Sequence, residues 1–439
     1  MAHTDARSHW LDQGPAFWNG VLPVCLFMLP YPYSMFVGLV GFFAFGLWQS
    51  YFYPGAVIKL LYDSGFVAVG LLLIISSGFA TFRGEAYLQL THFLPFFWFW
   101  AVLTLHLKKA ADPWPQIYRW ALILVLTAIP VNLIGIIEYV LKINHPGILA
   151  AYLPWVDWLY IGDLHVPRAF SVFDYPNTLA SYLVMILGLN LGLIFAGQGQ
   201  IVNAKQPLWS RYALGANLLL TLMCLFASGS RNGYLVAILL LLVGFVGART
   251  NRWIRLLGLA GFTIIVFTTM RFGLAGRALS WSWVTDDPRV HVWGLAMQMI
   301  RDRPLVGYGL GNYKLLYDGE VPGFSYIAHA HNFWLTLASE AGLPAMILFT
   351  AAVGLIVYRG YRALLSIKGH ASYYSVFMGY HLSFLAILLF SLVDITLFEA
   401  RVNLLAWLSL AVIAVGPELS QALQCQSEGR SPYYDDPEV

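Results

Sequence analysis

Long apolar segments separated by short polar ones recur along almost the whole chain. A helix that crosses a bilayer needs about 20 predominantly apolar residues, so the pattern predicts an all-α, polytopic membrane protein with about 12 transmembrane helices. The predicted spans lie at 16–31, 33–50, 61–80, 91–107, 118–141, 177–197, 212–228, 233–248, 254–270, 331–357, 373–393 and 400–416. Residues 1–416 would form a single transmembrane domain, and 417–439 a polar, disordered cytoplasmic tail.

The composition supports a membrane protein and argues against other classes. Hydrophobic residues make up 59% of the 439 residues and charged residues only 11%, whereas soluble domains carry about 25% charged residues. The net charge of +3 gives no reason to expect nucleic-acid binding. The three cysteines are scattered and form no metal-binding spacing. We expect the first apolar segment to be an uncleaved helix, because no cleavage site follows it.

Basic residues divide unevenly between the two sides of the predicted helices. Fourteen of the 25 Lys and Arg residues lie on one side, which the positive-inside rule makes cytoplasmic, so both termini are expected there. Two long loops, 142–176 and 271–330, lie on the outer side. Nine of the eleven basic residues on that side are arginines, whose planar donor groups suit phosphate. As a set they favour an anion site, although a single interfacial arginine can equally reach for lipid headgroups.

The larger outer loop contains one segment with helical periodicity, between Pro288 and Arg303. Apolar and basic residues alternate there at helical spacing, which predicts an amphipathic helix suited to a membrane surface. The apolar positions are Val292, Trp293, Ala296, Met297 and Ile300, and the basic ones include Arg289, Arg301 and Arg303. The glycines that follow at 307, 309 and 311 resemble a phosphate loop. No strand precedes them, so a nucleotide site is not favoured.

Three polar clusters lie at the outer ends of spans predicted to run inward. They are Arg168 with Asn177 before the sixth span, Arg231 before the eighth, and His331 with Asn332 at the start of the tenth. Helix N-termini present unpaired N–H groups and the positive end of the helix dipole. Together with the arginines, they would hold a phosphate or pyrophosphate without a metal ion. For Asn177, ordinary helix capping is the alternative interpretation.

His331 is the candidate general base. A neighbouring arginine and a helix N-terminus both favour the neutral imidazole, which can accept a proton. His329 could share a metal ion with it, but no third ligand has a convincing spacing, so no metal is predicted. Asp394 and Glu399 flank the outer end of the eleventh span. They could orient the histidine or an arginine, or simply pair with Arg401.

The order of the polar segments resembles that of a known family. The segments are Pro167-Arg168-Ala169-Phe170-Ser171-Val172-Phe173-Asp174-Tyr175-Pro176-Asn177, Ser228-Gly229-Ser230-Arg231, Arg289 to Trp293, Arg303-Pro304-Leu305-Val306-Gly307-Tyr308-Gly309, and His329-Ala330-His331-Asn332 with Glu340-Ala341-Gly342-Leu343-Pro344. Over about 165–345, the chain resembles the O-antigen ligase and polymerase superfamily of bacterial envelopes. Ala169-Phe170-Ser171 departs from the family pattern, which usually has a glycine there. This departure leaves the backbone role of the element open.

The resemblance implies a GT-C-like glycosyltransferase in the bacterial inner membrane, with its active site on the periplasmic face. The donor would be a glycan on undecaprenyl pyrophosphate, and the acceptor a sugar hydroxyl of lipid A–core, as in O-antigen ligase. His331 would be the general base. Arg231 and Arg289, with Arg168 behind them, would stabilise charge on the leaving pyrophosphate. No metal or other cofactor is expected, and direct displacement predicts inversion at the anomeric carbon.

Further residues are expected to assist. The donor-binding set would include Asn177 and Asn332, and the supporting set His329, Asp394, Arg301 and Arg303. Three alternatives stay open. A polymerase would use a second lipid-linked repeat as acceptor, and a protein-glycosylating relative would use a pilin side chain. A transporter is less favoured, because the charges cluster at one face and no internal repeat is visible.

Overall fold

The computed structural model describes residues 2–144, 168–197, 208–248, 252–272, 289–317, 319 and 326–427. All regular secondary structure within these residues is helical. The first part contains α1 (Ala2–Met28), α2 (Ser34–Phe52), α3 (Pro54–Asp63), α4 (Phe66–Gly78), α5 (Arg83–Gln89), a 3-10 turn (Leu90–His92), α6 (Leu94–Lys109) and α7 (Trp114–Asn144). The second part contains α8 (Pro176–Ala196), α9 (Leu208–Ser228), α10 (Arg231–Gly247), α11 (Arg252–Phe272), α12 (Arg289–Asp302), α13 (Tyr313–Leu316), α14 (Phe333–Ala341), α15 (Leu343–Ser366), α16 (Ala371–Phe390), α17 (Ala400–Ala414) and α18 (Gly416–Ser427).

Many of these helices can cross a bilayer. In the described residues, eight helical segments are long and apolar enough, and nine if α3 and α4, which meet at a 76° bend, count as one broken span. The chain is therefore a multi-pass membrane protein. Each predicted span falls on helical segments, although 61–80 and 331–357 each cover two helices. The apolar part of α1 and all of α10 are shorter than a full span, and α11 is not among the eight, so the number twelve stays a prediction.

Helices α8 and α16 form the centre of the bundle. Of the eight segments, α8 is the most buried, at 94% of its apolar window. A ridge of small residues on α8 forms the contact, because Gly188 faces Ser383 and a Cβ on Gly192 would lie 2.6 Å from Gly379 Cα. Small residues let two backbones approach closely. These contacts make the helices antiparallel and hold the first turn of α8 beside the last turn of α16.

The tenth predicted span, 331–357, is wrong as one helix. Helix α14 ends before Gly342, whose φ is +85°, and α15 begins at Leu343 and continues to Ser366. A Cβ at position 342 would meet Leu305 O at 2.3 Å, and Leu343 N donates to Pro304 O at 2.8 Å. An outer-loop segment therefore inserts at the break. The nine residues of α14 reach only about 14 Å, which is too short to cross.

The predicted disordered tail begins with a helix instead. Helix α18 covers Gly416–Ser427 and buries Leu419 and Leu423, one turn apart, in the main core. Lys108 Nζ lies 2.6 Å from a carboxylate oxygen of Glu418. The segment looked polar because the stripe it buries is narrow. Residues 428–439 lie outside the described residues.

The amphipathic helix of the outer loop exists as α12, but its apolar side packs on protein. Val292, Ala296 and Met299 are buried with Tyr313 and Ala330, whereas Met297 is 43% exposed. The buried stripe is thus rotated from the predicted one, and the membrane-surface interpretation is corrected. Most of loop 142–176 and residues 273–288 of the second loop lie outside the described residues.

The glycine-rich segment after α12 is a structural clamp. Tyr308 N donates to Ser339 O (3.0 Å), Gly309 N to Glu340 O (2.7 Å) and Tyr313 N to Glu340 Oε1 (3.0 Å). Gly307, Gly309 and Gly311 all have positive φ, which glycine adopts without steric cost. These N–H groups bind α14, so they do not form a phosphate loop.

Candidate active site at three converging helix N-termini

The first turns of α8, α10 and α14 meet at the segment that follows α16. The contacts are Asn177 Nδ2 to Asp394 Oδ2 (2.6 Å), Asn232 Nδ2 to Phe390 O (3.0 Å), Phe333 N to Ser391 O (2.9 Å) and Asn332 Nδ2 to Leu392 O (2.8 Å). The three helix N-termini singled out by the sequence therefore lie together. What gathers them is residues 390–394, a segment that the sequence did not single out as a whole.

A continuous series of side-chain contacts runs through this segment. His331 Nδ1 lies 3.0 Å from Asp394 Oδ1, and Asn177 Nδ2 donates to the other oxygen of the same carboxylate at 2.6 Å. On its far side, Asn177 Oδ1 accepts from Arg168 Nη2 at 2.9 Å, and Arg168 Nε donates to Ser228 O at 2.8 Å. Asn177 is thus a bridge between Arg168 and Asp394. The capping interpretation does not apply, since Asn177 lies inside α8.

Asp394 fixes the tautomer of His331. Burial alone would raise the pKa of Asp394, but the hydrogen bond and charge of His331, with the charges of His329 and Arg289, lower it to about 2. The carboxylate is therefore ionised and can only accept hydrogen bonds. The proton of a neutral His331 must then lie on Nδ1, which leaves Nε2 as a proton acceptor. The His331 side chain is 33% exposed and that of Asp394 only 8%, so the histidine is the accessible member of the pair.

His329 supports this arrangement in its neutral form. Burial, reinforced by the charge of His331, lowers the pKa of His329 to about 4. Its Nδ1 accepts a hydrogen bond from His331 N at 3.2 Å, and the two rings meet edge to face at 4.6 Å. His331 has a φ of +49°, an uncommon conformation for a residue with a side chain. Such strain persists where the surroundings impose it, often at functional sites.

Two of the predicted arginines, Arg231 and Arg289, begin helices, and Arg168 lies in the segment before α8. Arg231 begins α10, and Ser230 caps that helix by accepting from Gly233 N. Arg289 begins α12 and is close enough to influence the pKa of both Asp394 and His329. Arg168 uses at least two of its donors on protein atoms, as described above.

Arg301 and Arg303 are not brought to the site. Arg301 lies in the last turn of α12, about 18 Å along the helix axis from Arg289, and Arg303 follows the end of the helix. Arg303 stacks on Tyr308, with its guanidinium carbon 4.5 Å from the ring centre. The supporting role predicted for these two arginines is therefore not supported by their position.

Asn332 is held in the helix start. Its Oδ1 accepts from Leu335 N at 2.9 Å, capping α14, while its Nδ2 binds Leu392 O. Both polar atoms of the side chain thus contact protein. Its predicted part in donor binding stays a prediction.

Carboxylates account for several of the outward-facing basic residues. The pairs are Lys142 with Glu138 (2.7 Å), Lys314 with Glu85 (2.7 Å) and Arg401 with Glu399. Glu399 also caps α17 by accepting from Val402 N at 3.0 Å. Of the alternatives that the sequence left open, Asp394 orients the histidine and Glu399 pairs with Arg401. The predicted anion site would therefore use fewer cations than the sequence suggested.

His329, His331 and Asp394 could also hold a metal ion. One potential ligand atom from each lies within 4.8 Å of the other two. The sequence offered no third ligand near the two histidines, and the fold supplies one 63 residues away from His331. Two histidines and a carboxylate form a ligand set that zinc accepts.

An apolar cavity of about 200 Å³ lies beside the site, between the residues that precede α6 and helices α14, α15, α16 and α17. Its wall includes Phe93, Phe333, Phe349, Phe384, Phe398 and Trp407, with Ser391 at its edge. Phe398 lies 6.4 Å from the His329 ring, centre to centre. The polar site and the apolar cavity are thus neighbours.

Comparison with known proteins gives one family. A family profile described as O-antigen ligase matches residues 216–350. The resemblance to the O-antigen ligase and polymerase superfamily is thereby confirmed over this segment. No curated protein matches the chain significantly. Members of the superfamily are membrane glycosyltransferases.

The O-antigen ligase segment covers only part of the site. It contains Arg231, Arg289, His329 and His331, whereas Asp394 lies beyond its end. Arg168 and Asn177 precede this segment in the chain, and their hydrogen bonds also place them at the site.

Sequence reasoning overlooked the Glu138–Lys142 pair. Lys142 was counted as the start of an outer loop, yet it lies within α7 with its side chain fully buried against Glu138. The signal was present, because opposite charges four residues apart lie on one face of a helix. An ionised pair at the end of an apolar span is itself unusual.

Proposed function

We propose that the protein is an O-antigen ligase. It would transfer a glycan from undecaprenyl pyrophosphate to a sugar hydroxyl of lipid A–core, at the periplasmic face of the bacterial inner membrane and without a metal ion. The observation that carries the proposal is the His331–Asp394 pair at the meeting point of three helix N-termini. A base beside an anion-attracting site is what glycosyl transfer from a pyrophosphate donor requires.

In the proposed reaction, Nε2 of His331 takes the proton from the acceptor hydroxyl as its oxygen attacks the anomeric carbon. The bond from that carbon to the pyrophosphate oxygen breaks, and the lipid pyrophosphate leaves with the bonding electrons. Asp394 stabilises the imidazolium that forms. Attack opposite the leaving group inverts the anomeric configuration.

The arginines would act on the leaving group. Arg231 and Arg289 would donate to the pyrophosphate as its charge grows. Arg168, tied to Ser228 and Asn177, would contribute from behind. Helix N-termini add positive potential without any metal.

The apolar cavity supports a lipid-linked donor. It adjoins the site and lies among three candidate membrane spans, α15, α16 and α17. A polyprenyl chain could leave the bilayer there while its pyrophosphate reaches the polar segment. A nucleotide-sugar donor would not need such a cavity.

The catalytic pair can be tested with Asp394→Asn. Asparagine is similar in shape but cannot stabilise the imidazolium, so kcat should fall by about 10²- to 10⁴-fold with KM nearly unchanged. Asp302→Asn, which alters an exposed carboxylate on α12, is the matched control. If the two variants had equal activities in a purified transfer assay, the catalytic role of Asp394 and the proposed mechanism would be rejected.

The choice between ligase and polymerase needs a cellular readout. In a strain lacking the gene, loss of all polymer from lipopolysaccharide, with lipid-linked polymer accumulating, identifies a ligase. Addition of single repeats to the core identifies the second candidate, a polymerase with the same donor. The family profile is shared by both, and the acceptor decides between them.

A further inference from the structure

Helix α7 carries a buried ion pair near its outer end. Glu138 and Lys142 are one turn apart, their side chains are 2% and 0% exposed, and Lys142 Nζ lies 2.7 Å from Glu138 Oε1. Removing two charges from water is costly, and a buried pair often adds little net stability. The presence of this pair in a candidate membrane span therefore needs an explanation other than stability.

Both side chains bind the backbone of one non-helical segment. Glu138 Oε2 accepts from Phe170 N at 2.8 Å and from Ser171 N at 2.7 Å, and Lys142 Nζ donates to Arg168 O at 3.0 Å. Irregular backbone among membrane helices is tolerated where protein groups satisfy its N–H and C=O groups. The pair supplies three such partners to four consecutive residues.

The segment is held in a strained conformation. Ser171 has a φ of +54°, in the left-handed region that favours glycine. Its Oγ donates to Val131 O, also on α7, at 2.7 Å. A serine here is strained unless its surroundings impose the conformation. Helix α7 imposes it through Glu138 and through this hydroxyl bond.

The same segment begins with Arg168, whose guanidinium binds Ser228 O and Asn177 Oδ1. Asn177 in turn binds Asp394, and Asp394 binds His331. A continuous series of hydrogen bonds thus connects α7 to the proposed base.

We propose that Glu138 and Lys142 are positioning residues for the active site. By fixing the backbone of Arg168, they set the place of Asn177 and hence the orientation of Asp394 and His331. Neither residue touches the reacting atoms. The inference rests on the proposed function, since the site it serves is the transferase site. A pair that served only to join α7 to the bundle would leave the geometry at His331 unchanged.

The test compares Glu138→Gln and the double variant Glu138→Gln/Lys142→Met with Asn132→Leu. Asn132 is also buried on α7, where its Nδ2 binds Asn217 and Thr221 and not the segment that Glu138 and Lys142 bind. The double variant leaves no unpaired buried charge, so it keeps the test valid if the single variant fails to fold.

We expect kcat per folded molecule to fall roughly 10- to 100-fold in both Glu138 variants, because small misplacements of catalytic groups cost about that much. Asn132→Leu should lower the melting temperature but leave kcat near the original. If the double variant folds and keeps its kcat, the pair is a structural link and the proposal is overturned.

A second readout separates this proposal from the proposed function. The rate at which diethyl pyrocarbonate modifies His331, followed by mass spectrometry, reports its environment without an activity assay. Glu138→Gln and Asp394→Asn should change that rate in the same direction, and Asn132→Leu should not. A changed rate in Glu138→Gln with full transfer activity in Asp394→Asn would leave the positioning intact and reject the transferase mechanism. An unchanged rate in both Glu138 variants would reject the positioning.

Discussion

At the residue scale, the His331–Asp394 contact joins positions 63 residues apart. It places the proton of neutral His331 on Nδ1, so Nε2 is the ring atom that can accept a proton. Asp394 has a pKa of about 2 and His329 a pKa of about 4, so neither changes charge between about pH 5 and 8.

The pH dependence of transfer should therefore report His331. A general base must be neutral, so kcat/KM should fall as the pH is lowered, through a single ionisation. In His331→Ala the acid limb should vanish and kcat should drop about 10²- to 10⁴-fold, with donor binding retained.

His331→Gln tests whether the residue only forms hydrogen bonds. Glutamine keeps a donor and an acceptor but cannot take the proton. High activity of this variant with the acid limb intact would transfer the role of base to another group, first His329 and then Asp394.

Arg231 and Arg289 should not tolerate lysine. Lysine keeps the charge but loses the planar pair of donors that fits a pyrophosphate. Each Arg→Lys variant should be nearly as damaged as Arg→Ala, with a loss of about 2–4 kcal/mol of transition-state stabilisation, or roughly 30- to 1,000-fold in rate. Arg303→Lys is the control, since that residue stacks on Tyr308 far from His331. If both lysine variants kept full activity in the purified transfer assay, the assignment of Arg231 and Arg289 to pyrophosphate binding would be rejected.

At the scale of elements, the break between α14 and α15 deserves a direct test because the site is built on it. Gly342→Ala forces φ +85° on a residue with a Cβ that would lie 2.3 Å from Leu305 O. We expect a loss of about 2 kcal/mol or more in the free energy of unfolding. Gly215→Ala, in α9 with open space around the added Cβ, should be neutral or gain about 0.5–1 kcal/mol.

Thermal unfolding of the two alanine variants in one detergent checks this expectation. Equal melting temperatures would mean that the outer-loop segment does not constrain the break. Activity should follow the same order, because α14 carries the start of the site.

At the scale of the whole molecule, the source of positive charge can be tested with a chelator. The proposed site uses arginines and helix N-termini, so transfer should survive excess EDTA. His329, His331 and Asp394 offer a possible ligand set, and this makes the measurement informative. Inactivation by EDTA, with rescue by an added divalent cation, would convert the base into a metal ligand and overturn the mechanism as proposed.

Much of the architecture follows from the sequence alone. Runs of apolar residues require helices, because the backbone has no other partners in a bilayer, and ten of the twelve predicted spans each fall on one helix. The ridge formed by Gly188 and Gly192 is also visible in the sequence, because small residues at a four-residue spacing share one helix face. The polar groups at three helix starts were also visible, because polar and ionisable residues stand out in an apolar chain.

Tertiary structure alone decided how these parts meet. Asp394 reaches Asn177 through the packing of α8 against α16, and it reaches His331 because the start of α14 binds the segment after α16. The break at Gly342 depends on a loop inserted from the outside, and the pairing of Glu138 with residues 168–171 depends on an irregular turn lodged against α7. Local periodicity reports which face of a helix is apolar. The neighbour that this face contacts is set by residues far apart in the chain. These long-range contacts determine the geometry of the candidate active site.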